Sequence, residues 1–352
     1  MKLIQIMLPV IVLSASGMAW ANNVESTGND ISLDEENLGR YEACISQNSG
    51  KACSDLGFAY ATGSGANQDY SKASIYFEKA CNLGDRGGCY NLAFSYDKGY
   101  GVTQDYRKAI TYYEKACNLG DGGGCINLGD FYDNGHGVEQ NNGRANTYYE
   151  RACNLGDSSG CFNLGNSYEN GRGVTQDRSK ANIYYEKACS LDNDMGCFNS
   201  GVYYEFGSGE KPNYDLAKIH YEKACGLEFG EGCFSLGNLY RNGLGVKQDY
   251  IKAKTYYEEA CNLSTKDGCF NLGGLYLEGN GVEQNYRNAK IYFENACNLD
   301  DGDGCFWLGV LYHEGKGVSQ NITTAKQYYS KSCGIGLQKG CDEYRELNEK
   351  GY

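Results

Sequence analysis

The sequence predicts an all-α fold, a right-handed α/α solenoid of short helix pairs stapled by disulfides. Three observations predict it. Its 18 cysteines fall into nine neighbouring pairs, and from Cys81 onward the pairs recur every 36 residues with eight positions between their members. Each repeat carries two stretches of apolar residues at helical spacing. A Gly-x-Gly element separates the two stretches in almost every copy, from Gly63/Gly65 to Gly315/Gly317.

The chain opens with a segment that reads as a secretory signal: Lys2, an apolar run from Leu3 to Leu13, and the small-residue ending Ala19-Trp20-Ala21. Cleavage is expected after Ala21, giving a soluble protein located in the periplasm or secreted. The run is too short, and too interrupted by Pro9, for a membrane span. Residues 22–31 read as a disordered leader, and 32–349 as the repeat solenoid: an opening helix, eight helix pairs and a C-terminal capping helix. Ser32-Leu-Asp-Glu35 offers a capping box for the opening helix, which should end near Cys44.

One repeat shows the logic of all. Counted from its first cysteine as zero, Cys125, Leu128, Gly129 and Tyr132 stand at 0, +3, +4 and +7, one face of a helix. Ala145, Tyr148, Tyr149, Ala152 and Cys153 give a second helix at the same spacing. The tyrosine at +7, present in every copy from Tyr60 to Tyr312, is expected in the core because it shares the leucine face. Small residues at +4 should let neighbouring helices approach. The glycines of Gly-x-Gly end the first helix in a left-handed conformation and let the chain double back. A phosphate-cradling role would need a preceding strand, and none is apparent. At the C-terminal end Tyr344 and Arg345 stand where leucine and glycine are expected, which suits a cap with one face in water.

The cysteine spacing carries a geometric argument. Eight residues of straight helix span about 12 Å, whereas a disulfide needs Cα atoms within about 7 Å. The chain must therefore turn between the two, and Asn118-Leu-Gly-Asp-Gly-Gly-Gly124 is rich in turn residues. Sequence does not prove connectivity; proximity favours Cys44–Cys53, Cys81–Cys89, Cys117–Cys125, Cys153–Cys161, Cys189–Cys197, Cys225–Cys233, Cys261–Cys269, Cys297–Cys305 and Cys333–Cys341. Each bridge would clip the end of one repeat to the start of the next. An exported chain with an even cysteine count suits an oxidising compartment.

The formal net charge is −13, and removing the signal segment takes away Lys2 and no acid, leaving 31 basic residues against 45 acidic. This excludes a nucleic-acid partner as the expected one. A charge-steered partner should be basic at the contact, although such a charge also serves solubility.

The 36-residue period, the paired cysteines, the L-G-x-x-Y first helix and the Y-Y-E-K-A-C second helix resemble the Sel1-like repeats, relatives of the tetratricopeptide repeat. Within them the chain is similar to the secreted Helicobacter cysteine-rich proteins. The resemblance covers most of residues 33–345 and implies one of two functions. It implies either a scaffold that engages a host or envelope protein, or a weak penicillin-binding protein or β-lactamase acting on a β-lactam.

The enzyme reading finds little chemistry. Ser208-Gly-Glu-Lys211 is the one S-x-x-K run, and no K-T-G or S-D-N accompanies it. His136, His220 and His313 lie in distant repeats, whereas zinc needs three or four converging ligands. No metal or cofactor is expected, no catalytic residue is assigned, and any turnover would need an unconventional site.

A binding face is more legible. Positions +2, +5 and +9 fall together on the side of the first helix away from its core stripe, and they collect Asn91, Asn127, Asp130, Asn134, Asn163, Asn166, Asn170, Asn199, Asn238, Asn242, Asn271 and Trp307. Asparagine is a poor helix former, so a face that is merely solvated should not prefer it; duplication of one ancestral residue is the alternative. In tetratricopeptide proteins the matching face lines the concave surface, and asparagine at the place equivalent to +2 resembles the type that clamps a peptide backbone. These twelve residues are the expected site for a peptide or protein ligand. At +8 the acidic series Asp97, Asp133, Glu169, Glu205 gives way to Arg241, Leu277 and His313, which suggests a partner with basic character toward the N-terminal half.

Overall fold

A computed structural model describes residues 33–207 and 211–352. The expected signal segment and leader lie outside the described residues. Those residues hold eighteen α-helices and, among them, no strand. They fall into two compact units divided after Asp177. The first contains α1 (Glu35–Ser46), α2 (Gly50–Thr62), α3 (Tyr70–Asn82), α4 (Arg86–Lys98), α5 (Tyr106–Asn118), α6 (Gly122–Asn134), α7 (Asn142–Asn154) and α8 (Ser158–Asn170). The second contains α9 (Arg178–Ser190), α10 (Asp194–Phe206), α11 (Tyr214–Gly226), α12 (Gly230–Asn242), α13 (Tyr250–Asn262), α14 (Lys266–Glu278), α15 (Tyr286–Asn298), α16 (Gly302–Glu314), α17 (Ile322–Gly334) and α18 (Gln338–Glu349). Even-numbered helices up to α16 are the first helices of their repeats. Within each unit, helices adjacent in sequence pack together, which is the α/α solenoid pattern.

Punctuation residues set the helix limits. Ser49, Asp85, Asp121, Asp157, Asn193 and Asp301 cap first helices by accepting backbone N–H groups; such a cap contributes about 1 kcal/mol. The capping-box expectation for α1 shifts by two residues. Asp34, not Ser32, caps it and accepts the Asn37 N–H at 2.9 Å, and Ser32 lies outside the described residues. At the other end Gly135 takes φ 72° and ψ 30°, its N–H bonded to the Phe131 carbonyl, which an L side chain there would strain. Gly207 departs from this pattern with ψ 154°, ahead of the Pro212 loop.

Nine disulfides join the paired cysteines, with Cα atoms 4.4 Å apart at Cys81–Cys89 and 4.7 Å at Cys44–Cys53. From α3 onward each ties a second helix to the first helix of the next repeat, as with Cys117 on α5 and Cys125 on α6. Most of these cysteines are buried beside the alanine of the following second helix, as Cys225 and Cys233 are beside Ala260, while Cys261, Cys333 and Cys341 are half-buried. A covalent clip is thus placed where two glycines, such as Gly122 and Gly124, weaken the start of the first helix.

The core is built on a different tyrosine from the one expected. At +7 only Tyr60 and Tyr240 are buried, and the others are half-exposed. They stack instead on the first aromatic of the following second helix: Tyr96 on Tyr112 at 5.7 Å, Tyr276 on Tyr292 at 5.5 Å. A cation closes several stacks, as Lys108 does over Tyr96 at 4.9 Å. The buried ring is the second aromatic of that helix: Phe77, Tyr113, Tyr149, Tyr185, Tyr221, Tyr257, Phe293 or Tyr329. It lies across the +4 glycine, where a Cβ on Gly237 would stand 2.6 Å from the Tyr257 ring. The small residue at +4 therefore seats a ring from the same repeat.

Burial pushes the carboxyls of the capping residues Asp85, Asp121, Asp157 and Asp301 above their ordinary pKa, and the N–H that each accepts offsets this in part. A folded-state value above the unfolded one means that the charge costs stability at neutral pH. That cost disappears as the pH falls through the folded value to the ordinary 3.8. Asp121→Asn keeps the acceptor for the Gly124 N–H and removes the charge. It should raise the thermal midpoint at pH 7 by about 2 °C and match the parent protein in acid below the ordinary value. Calorimetry across that pH range checks both halves of the expectation.

Candidate functional site

The stripe at +2, +5 and +9 is less solvated than its spacing suggested. Positions +2 and +5 are half-buried, Asn91 being only 8% exposed, while Asn134, Asn170 and Asn242 at +9 are exposed. The physical reason lies in the buried ring. Its hydroxyl emerges past the +4 glycine and needs an acceptor, which +5 or +8 supplies.

In the first unit Tyr149 donates to Asp130 Oδ1 at 2.7 Å. Burial raises the Asp130 carboxyl pKa, and the hydrogen bond from Tyr149 opposes it. In the second unit Tyr257 donates to Asn238 Oδ1 at 2.7 Å, Tyr221 to Glu205 Oε2 at 2.6 Å, and Tyr329 lies 3.4 Å from His313 Nδ1. Where +5 is Phe58 or Gly274, the buried ring is phenylalanine, Phe77 or Phe293, and no acceptor is needed. Tyr113 breaks this rule opposite Phe94. Its hydroxyl is buried with no partner among the described residues.

Asp130 and Asn238 are therefore occupied by the core. The acidic +8 series is also drawn inward: Asp97 is buried and pairs with Lys98 at 2.8 Å, and Asp133 pairs with Arg172 at 3.4 Å while accepting from Asn142. The basic-partner expectation for that half loses much of its free charge.

The +2 asparagines divide in two. Asn127 and Asn271 donate to the carbonyls of Gly123 and Asp267 one turn back, each at 2.9 Å. Asn91, Asn163 and Asn199 make no side-chain hydrogen bond among the described residues, although none of them is exposed. At +9, Asn134 and Asn170 donate to the carbonyls of Asp130 and Asn166.

One concavity opens on this face in the second unit. It measures about 130 Å³ and lies between α12, α14 and α16. Phe270, Leu275, Leu277, Phe293 and Trp307 make it apolar, with Arg241, Asn271 and Glu278 at its edge. Arg241 Nη1 donates to Asn271 Oδ1 at 2.6 Å. Of the expected site residues Asn271 and Trp307 meet here. Arg241, Phe270 and Phe293 were not among them. Their signal was available: of the eight copies only this one has glycine at +5, and it pairs that glycine with a phenylalanine ring.

Ser208 of the S-x-x-K run lies outside the described residues, and Lys211 is exposed in the loop that follows. No helix of the described residues is long and apolar enough to cross a membrane. Nine disulfides suit an oxidising location.

Helix pairs of fixed period, clipped at each turn and presenting a polar first-helix face, define a repeat scaffold. The Sel1 repeat model matches residues 50–85, 87–121, 123–157, 158–193, 194–228, 230–264, 266–301 and 302–336, so the chain belongs to the Sel1 repeat family. A search of curated proteins gives no match. Among solved structures the chain is similar to c5321, a protective antigen present in uropathogenic Escherichia coli strains and displaying an SLR fold. The two are 24% identical over 90% of this chain and 75% of that one, with a TM-score of 0.58. A Sel1 repeat protein from Oxalobacter formigenes is 24% identical over 68% and 96%, with a TM-score of 0.57. These two likenesses show the fold. Helicobacter pylori cysteine rich protein B is 40% identical over 38% of this chain and 95% of that one, with a TM-score of 0.32.

Proposed function

We propose that the protein is an exported, disulfide-stapled scaffold that holds an extended peptide or protein segment, from a host or envelope partner, on the first-helix face of each unit. One observation carries the reading: Asn91, Asn163 and Asn199 lie half-buried or buried without a side-chain hydrogen bond among the described residues. Each costs some tenths of a kcal/mol in helix propensity, and none of their amide atoms is among the buried polar atoms without a partner, so each amide stays open to a ligand. A bound backbone would supply what they lack, because a carboxamide both donates and accepts, as a peptide group does. Asn127 adds an amide already turned by its own helix, with its oxygen left to accept. No feature of the described residues favours the β-lactam-hydrolase reading.

The test uses the full exported chain and a peptide selected on it from a displayed random library. Replacing Asn127, Asn163 and Asn199 together by alanine removes up to three hydrogen bonds, and affinity for that peptide should fall about a hundredfold. Alanine is the better helix former, so the thermal midpoint should hold or rise. Binding within about threefold of the parent protein, with the fold intact, would overturn the proposal.

A further inference from the structure

The concavity in the second unit exists because one repeat omits a polar pair that the repeat before it keeps. Across α12 and α13, Tyr257 donates to Asn238 at 2.7 Å and fills the space beyond Gly237. One repeat on, Gly274 replaces the asparagine and Phe293 the tyrosine, so both partners of that bond are gone. A Cβ built on Gly274 would meet nothing within 4 Å. Phe293 forms the floor and is itself 1% exposed. Trp307 lies 6.2 Å from it, nearly parallel, as a wall.

The resulting volume of about 130 Å³ is close to that of an apolar cavity of about 150 Å³ known to hold benzene. It therefore suits one leucine, methionine or phenylalanine side chain. Arg241 at the edge bonds Asn271 through one nitrogen and also interacts with the Tyr257 hydroxyl, and it has no carboxylate within ion-pair distance among the described residues, in a chain with 45 acidic groups. Glu278, the acid nearest at hand in the cleft, accepts from Asn280 at 2.6 Å instead. An arginine left with unused donors beside an apolar recess is matched by a carboxylate carried next to an apolar side chain.

We propose that this cleft anchors the bound segment, taking one bulky apolar side chain against Phe293 and Trp307 and the carboxylate of an adjacent aspartate or glutamate against Arg241. The inference rests on the peptide-holding role of the first-helix face and adds what that peptide carries. First helices lie on both sides of the cleft along the chain, so the acid is placed within a continuing segment. Seating the apolar group contributes about ten- to a hundredfold in affinity, and the charged contact about tenfold.

The probe is acetyl-Ser-Leu-Glu-Ser-amide, read on the full chain by the fluorescence of Trp307. The other tryptophan, Trp20, falls in the expected signal segment. The peptide should shift the Trp307 emission; changing its leucine to alanine or its glutamate to glutamine should each weaken binding about tenfold. Gly274→Leu fills the recess without meeting a neighbour at its Cβ and should abolish the response, with circular dichroism unchanged. Arg241→Gln should erase the preference for glutamate over glutamine. Equal binding of the two peptides, binding confined to a free C-terminal acid such as acetyl-Ser-Leu, or an unaltered Gly274→Leu response would each overturn the inference. If the alanine triple loses the library-selected peptide while Gly274→Leu keeps it, the face binds and the anchor alone is refuted. If the triple keeps that peptide, the reading beneath the anchor fails first.

Discussion

Full reduction of the disulfides under otherwise native conditions should unfold the protein. Each bridge closes a loop of eight or nine residues, and on the chain-entropy model such a loop contributes about 2 to 3 kcal/mol. A domain commonly has about 5 to 15 kcal/mol in total. Loss of even half of the nine, with incomplete additivity, exhausts that margin. The clipped helices cannot compensate: α6 starts Gly122-Gly-Gly124, and glycine is a poor helix former. Replacing only Cys225 and Cys233 by alanine should cost about 2 to 3 kcal/mol and lower the thermal midpoint by about 8 °C. Circular dichroism on the reduced chain, and calorimetry on the double variant, read the two results.

Tyr257→Ala should be the most damaging single substitution outside the cysteines. The ring is fully buried, lies against Gly237 and packs 5.9 Å from Phe234. Its removal leaves a cavity under α12, and losses of this kind run to about 3 to 5 kcal/mol. For a unit of this size the thermal midpoint should drop by about 10 °C or more. Tyr257→Phe separates packing from polarity. It keeps the ring and loses the hydroxyl's bond to Asn238 and its interaction with Arg241, so it should cost about 1 to 2 kcal/mol. Phe293 already shows that the fold accepts phenylalanine at this place in the repeat, given a partner without an acceptor.

Much of this was legible in the chain because a repeat prints its own period. The cysteines fixed the turn between repeats, since eight residues cannot be both a straight helix and a bridgeable distance. The glycines fixed where first helices stop. The choice of core tyrosine was not legible, because Tyr132 and Tyr149 both stand at helical spacing with small or apolar neighbours, and periodicity within one helix cannot say which ring crosses to the other. That choice decides the status of Asp130 and Asn238. Read on the first helix alone they look solvated, and the hydroxyl that claims them comes from 19 residues further on. The cleft is a departure from the repeat. Reading for what all copies share passes over Gly274, the residue that differs.

Hydrogen–deuterium exchange on the full chain, with and without the library-selected peptide at saturation, reads most directly which face meets the partner. The prediction is slowed exchange in the first helices, around Asn127, Asn163 and Asn199 and again across α14 and α16 near Trp307, with the second helices unaffected. Slowing instead over the exposed isoleucines of the second helices, Ile183, Ile219 and Ile291, with the asparagine face unchanged, would contradict it.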